Sequence, residues 1–305
     1  LAISSAASDV YKRQVSMDID WDRPLVESED IPQMFWDEYP PYKKLSIEQK
    51  REFLRHRGAS QFSQFLHGEQ GALLVASQLV SCAPTYQAKL YAASQAFDEA
   101  RHVEAFTKYI QKRSKLMYPV GSGLKSLLDK ILTDERWDLK LIGMQIIIEG
   151  LALAAFNTAK AVTPDPVLRD ILHLIIRDEA RHVTFGVNYL EDFIENLTEE
   201  EREDRAMFAY EACVISKERL FPTDVFRKFG WDEDEARQFS NKAGFATEFQ
   251  RLLFSRVVPN LSRIGLLTDE VRPLYDKLGV LEFESHSPDG DISWAELEKP
   301  LDLSA

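Results

Sequence analysis

The pentapeptide Asp-Glu-Ala-Arg-His occurs twice in this 305-residue chain, at 98–102 and at 178–182. Thirty residues before the glutamate of each copy stands another glutamate in a small-residue or apolar run: Glu69 in HGEQGALLVAS and Glu149 in MQIIIEGLALAAF. Glu69, Glu99 and His102 are thus related to Glu149, Glu179 and His182 by a single offset of 80 residues. An internal repeat built on carboxylates and histidines restricts the fold more than any average property of the chain.

Helix geometry accounts for the spacing. Pro84 lies midway between Glu69 and Glu99, and Pro164 midway between Glu149 and Glu179. A helix–helix turn at each proline sets each glutamate pair at one height, roughly 22 Å from its turn at ~1.5 Å rise per residue. Glu and His three residues apart share a helix face. Two such hairpins packed face to face bring four carboxylates and two imidazoles to one depth. That density of buried charge repels itself unless cations sit within it, and two divalent metals meet the need. The competing reading places the Glu–His pairs on solvated faces. It conflicts with Ile146, Ile147, Ile148, Leu151 and Leu153 around Glu149.

One glutamate from each of two helices, with Glu-x-x-His from each of two others, resembles the ferritin-like diiron-carboxylate superfamily. The resemblance covers residues 46–195. It implies an all-α fold: a ferritin-like four-helix bundle with a long crossover, followed by additional C-terminal helices. It implies that Glu69, Glu99, His102, Glu149, Glu179 and His182 ligate two Fe ions, with O2 as co-substrate. Ligand identity leaves Mn/Fe and Mn/Mn pairs open. Asp98 and Asp178 each precede a ligand glutamate, and Arg101 and Arg181 each precede a ligand histidine. In the resembling enzymes such an aspartate accepts the free ring N–H of a ligand histidine and the arginine braces it. The plain alternative makes both arginines surface salt-bridge partners. The DE-x-RH form looks more like the oxygenase/oxidase branch, with its monooxygenase hydroxylases and acyl-carrier-protein desaturases, than like bacterioferritins.

Departures from those families are specific. Phe106 stands where ribonucleotide reductase small subunits carry a radical tyrosine. Leu153 and Ala152 stand where the hydroxylases and desaturases, respectively, carry a threonine. Ile175 stands where arylamine N-oxygenases carry a further histidine ligand. The expected function is O2-dependent oxidation of a small or medium apolar organic molecule by hydroxylation, N-oxygenation, desaturation or oxidative C–C cleavage. The alternative is a ferroxidase that handles iron without an organic substrate. Gly68, Gly71, Ala72, Ala76, Gly150, Ala152, Ala154 and Ala155 flank the ligands, either as a substrate cavity or as close helix packing. Phe62, Phe65, Phe156 and Phe185 are candidate lining, and His67 and His173 read as structural.

Along the chain, residues 1–14 end in DVYKRQ, which matches translated transposon-end sequence and is expected to be a read-through artefact, with Met17 as one candidate start. Residues 15–45 read as an extended arm packed by Trp21, Phe35, Trp36 and Tyr39. Core helices are expected at 46–83, with a kink or break near 58–60, and at 85–114, 136–162 and 165–195, with a short helix near 124–133 in the crossover. Further helices are expected at 198–221, 232–254 and 269–278 within 196–284, then a loose tail over 285–305 in which Trp294 docks. The net charge of −13 with no basic stripe argues against nucleic acid. No apolar run approaches the ~20 residues that span a bilayer. Cys82 and Cys213 offer no metal-ligand spacing, which with the absence of a signal-peptide pattern points to the cytoplasm. No flavin or iron–sulfur motif is present, so electrons are expected from a separate ferredoxin or reductase. Lys108, Lys112, Arg113 and Lys115 form either its docking cluster or an ordinary solvated helix end. A homodimer is implied by the resemblance.

Overall fold

The computed structural model describes residues 19–24, 35–218, 221–242 and 245–289, and every regular element among them is helical. Ser46 opens α1 (Ile47–Cys82) through a reciprocal cap: its hydroxyl accepts from the Gln49 N–H, and the Gln49 side chain accepts from the Ser46 N–H. The kink or break expected near 58–60 does not interrupt the helix, which continues through Gly58, Gly68 and Gly71. Gly71 is a contact point instead. A Cβ there would lie 2.3 Å from Leu128 Cδ2, so its absence lets the crossover helix seat against α1.

Both proline turns fall where the spacing puts them. Thr85 caps α2 (Tyr86–Tyr109), which continues as a π-helical turn over Ile110–Ser114 and ends where Lys115 adopts φ 52°. The crossover carries α3 (Ser122–Thr133). Next comes α4 (Trp137–Val162), π-helical over Ile142–Glu149, and then α5 (Pro166–Ile194), capped by Asp165. Helices α1, α2, α4 and α5 are the four-helix ferritin-like bundle.

The chain continues as α6 (Glu199–Glu218), α7 (Thr223–Lys228), α8 (Glu233–Lys242), α9 (Phe245–Arg263) and α10 (Arg272–Leu278). The acidic start of α6 is capped by Thr198, whose hydroxyl accepts from the Glu201 N–H while the Glu201 carboxylate accepts from the Thr198 N–H. Where a helix was expected over 232–254, helix is described over Glu233–Lys242 and Phe245–Arg263, so it reaches further than expected, and α7 was not foreseen.

These helices have a physical task. An 18-residue window of α4 has a mean hydropathy of 1.8, so the expectation that no run approaches membrane-spanning character is corrected. That window is 89% buried inside the protein. A helix apolar on all sides needs cover on all sides. Helix α5 supplies one wall, α6 packs on the π-helical stretch, and α9 packs along Gly150–Val162.

The N-terminal arm is not extended where it is described. Phe35–Glu38 is a 3-10 turn and Pro40–Lys43 a helical turn. Trp36, Tyr39 and Tyr42 are buried with Phe53 of α1 and Val225 and Phe226 of α7. Ile19 and Trp21 pack against α2 and α5 with Phe106 and Ile171. Lys108 lies 4.4 Å above the Trp21 ring, Lys112 is 3.7 Å from Asp22, and Arg113 donates to the Arg23 carbonyl. Three of the four basic residues proposed for a donor are therefore engaged with segment 19–24. Of the tail, Asp289 is 1% exposed and is held by Arg256 and Asn260. Residues 1–14, the Phe35 side chain and the tail beyond 289 with Trp294 lie outside the described residues.

Trp36 meets Tyr39, Phe53 and Phe226 with ring centroids 5.1–6.1 Å apart and is 2% exposed. Trp36→Ala is expected to lower unfolding free energy by about 3–5 kcal/mol, measured by equilibrium denaturation in urea.

Candidate metal centre

Four helices each send one glutamate inward to the same depth: Glu69 from α1, Glu99 from α2, Glu149 from α4 and Glu179 from α5. All are 5% exposed or less, and His102 and His182 are 2% and 1% exposed. The side chains form two groups. In Glu69, Glu99, His102 and Glu179, and again in Glu99, Glu149, Glu179 and His182, one ligand atom per residue lies within 4.8 Å of all the others. Glu99 and Glu179 belong to both, so the groups share two carboxylates and differ by one glutamate and one histidine each.

The histidines point Nδ1 inward. His102 Nδ1 is 3.1 Å from Glu69 Oε2, 3.2 Å from Glu99 Oε2 and 3.0 Å from Glu179 Oε1. His182 Nδ1 is 3.2 Å from Glu99 Oε1, 3.7 Å from Glu179 Oε2 and 3.9 Å from Glu149 Oε2. Despite this crowding, His182 Nδ1, Glu149 Oε2 and Glu179 Oε1 make no hydrogen bond. Buried polar atoms are seldom left so. Lone pairs that converge without pairing to each other fit the donor set of two cations, with the mixed carboxylate and imidazole character that suits iron.

The electrostatics agree. Burial, with the nearby charge of Glu179, pushes the carboxyl groups of Glu69 and Glu149 well above the usual range. Burial acts on Glu99 in the same sense, but His182 and His102 outweigh it and hold that carboxyl below its ordinary value. Burial would keep the imidazoles neutral. Glu69, the bond to Asp178 and the nearby Glu179 nevertheless raise His102, and Glu99 and the bond to Asp98 raise His182. Without metals the cluster balances its charge with protons, which bound cations displace.

Beyond the cluster the two halves are crossed. His102 Nε2 faces Asp178 Oδ2 at 3.2 Å, while His182 Nε2 faces Asp98 Oδ2 at 3.3 Å, so each aspartate serves the histidine of the other Asp-Glu-Ala-Arg-His copy. Arg101 donates to Asp98 and, at 3.2 Å, to Asp178 Oδ2; Arg181 donates to Asp178 and, at 3.5 Å, to Asp98 Oδ2. Arg101 is buried and Arg181 half-buried, so neither is a free surface partner. Burial opposes ionisation of both aspartates, but the paired histidine in each case, together with the arginines, keeps their carboxyl groups low.

The sequence reading missed two residues. Gln95 Nε2 donates to Glu149 Oε1 at 2.8 Å and to Glu99 Oε1 at 3.1 Å, and Gln145 Nε2 donates to Gln95 Oε1 at 2.9 Å. A polar residue four positions before a ligand glutamate, absent from the other repeat, was the available signal.

The flanking small residues divide towards packing. Val257 fills the space at Gly150 and Leu128 that at Gly71, whereas Gly68 faces open space. Phe65, Phe106 and Phe156 pack on one another at 4.8–5.9 Å, and Phe185 stacks on Tyr91. The cavity beside the cluster lies between α2 and α5, next to His102, and is lined by Ala105, Ile171, Leu174 and Ile175 under Ile19. His67 contacts the Tyr118 carbonyl and His173 contacts Lys160, both away from the cluster.

The family model described as p-aminobenzoate N-oxygenase AurF matches residues 3–265, most of the chain, and the chain belongs to that family. No curated protein matches it.

Metal binding and metal-free stability are expected to separate at Glu149. Since that carboxyl is already biased towards its neutral form, Glu149→Gln is expected to leave the metal-free melting temperature within a few degrees, an effect of ~1 kcal/mol or less. The rise in melting temperature on adding Fe(II) anaerobically is expected to fall by more than half, as read by differential scanning fluorimetry.

Proposed function

We propose that this member of the AurF family, a non-haem diiron oxygenase that uses O2 to oxidise an organic small molecule, acts on the nitrogen of a small aromatic amine. The family's description supports nitrogen over the other outcomes open to the sequence, and the match favours oxygenation over the ferroxidase alternative. The observation that carries the reading is the pair of buried ligand groups sharing Glu99 and Glu179. Glu69, Glu99, His102 and Glu179 would hold one iron, and Glu99, Glu149, Glu179 and His182 the other. When bound, the irons supply electrons to O2.

The chain's own residues prepare that chemistry. Asp178 and Asp98 accept the Nε2–H of His102 and His182 and so leave the Nδ1 lone pairs directed at the cluster. The paired histidines, with help from the arginines, hold both aspartate carboxyl groups low. The apolar wall of Ala105, Ile171, Leu174 and Ile175 keeps water away from the Asp178 side of His102. Ile175, where arylamine N-oxygenases carry a third histidine, limits this centre to two imidazoles. Electrons would come from a separate ferredoxin or reductase. A cytoplasmic homodimer is the setting we propose, with Cys82 and Cys213 both free thiols.

The test is anaerobic loading with two Fe(II) per chain, then mixing with ¹⁸O2 and aromatic amines, beginning with p-aminobenzoate. The expected result is an N-oxygenated product carrying ¹⁸O, identified by mass spectrometry. Ring hydroxylation would replace nitrogen with carbon as the target. Continued Fe(II) consumption beyond two per chain with no organic product would move the reading to ferroxidase.

A further inference from the structure

We propose that Gln95, oriented by Gln145, makes the two metal positions unequal, so that the one at Glu149 and His182 fills first and holds its metal more tightly than the one at Glu69 and His102. The inference rests on the reading that the six residues bind two metals.

The symmetry of the chain isolates the feature. The 80-residue offset relates every ligand and every Asp–Arg partner to its counterpart, but it carries Gln95 onto Ile175 and Gln145 back onto Phe65. Around Glu149, therefore, one amide lies against the carboxylates with a second amide behind it; around Glu69, two apolar side chains occupy the same repeat positions. Ile175 lines the cavity and Phe65 packs on Phe156. Among the described residues the hydrogen-bond partner of Glu69 is His102, with no amide donor.

The amide pair has a defined sense. Gln145 Nε2 donates to Gln95 Oε1, which turns the Gln95 NH2 towards Glu149 and Glu99. The bond to Glu149 Oε1 fixes that carboxylate and leaves Oε2, the atom without a partner, directed at His182 and the cluster. A ligand so held loses less freedom on binding a cation than Glu69, which has no such restraint. Partners of this kind change metal affinity by about 10–100-fold.

One further observation shows that the pair is retained at a cost. Gln145 is fully buried, and its Oε1 has no partner among the described residues, a loss that an apolar side chain there would avoid. At Gly186 of α5 a Cβ would lie 2.6 Å from Gln145 Cβ, so this glycine lets the α4 backbone that carries Gln145 approach α5 closely.

The experiment is anaerobic calorimetric titration of the metal-free full chain with Fe(II), repeated with Mn(II) while free Mn(II) is counted by electron paramagnetic resonance. Wild type is expected to show two binding events separated by about 10-fold or more. Gln95→Leu is expected to weaken the tight event by about 10–100-fold and the loose one by a clearly smaller factor, because Glu99, the second acceptor of Gln95, belongs to both groups. Gln145→Met, which removes only the orienting donor, should act in the same direction by a smaller factor, and it serves alone if Gln95→Leu does not fold. Two equal events in wild type, an unchanged tight event in the variants, or equal weakening of both events would overturn the inequality while leaving the two-metal reading intact. Wild type that binds fewer than two metals would overturn both.

Discussion

Mutual repulsion among four buried carboxylates is the constraint on which the structure depends. Carboxyl groups crowded at one depth of a helical bundle are tolerable only when protons or cations neutralise them. Without metals, protons take that role: Glu69 and Glu149 are biased towards the neutral acid while the imidazoles are biased towards charge. Atoms such as Glu149 Oε2 and His182 Nδ1, held close but unpaired, show that the surrounding fold, and not the cluster itself, sets their positions. The burial that makes the site expensive also gives it a dry environment for oxidation chemistry.

The surrounding fold is less symmetric than the ligands. Glu69 rides on α1, which shows Gln70, Leu74 and Ser77 to solvent, whereas Glu149 rides on α4, buried on every side of its middle. Of the C-terminal helices, α6 and α9 cover α4. The π-helical stretch Ile142–Glu149 has no counterpart before Glu69, and it carries both Gln145 and Glu149. Wider π turns often mark functional positions because they shift side chains relative to the α register.

The bundle and the ligand cluster were legible because both obey periods: one offset of 80, a three-residue Glu–His step, and two prolines centred between glutamates. What was not legible lacked a period. The helical turns at 35–43 are set by where aromatic side chains find partners, such as Trp36 against Phe226. Lys108, Lys112 and Arg113 looked like a free basic patch because the sequence does not reveal that segment 19–24 folds back onto them. Gln95 and Gln145 escaped notice as ordinary polar helix residues. Comparing the halves for differences would have found them sooner than comparing them for likeness.

The crossed pairing of aspartates and histidines bears on assembly of the molecule. Neither helical hairpin contains a complete half of the centre: His102 needs Asp178 from the second, and His182 needs Asp98 from the first. A hairpin made early during synthesis therefore displays two glutamates and a histidine but no braced imidazole. Only docking of α2 against α5 completes both imidazoles at once, so a fully braced centre reports correct pairing of the two halves.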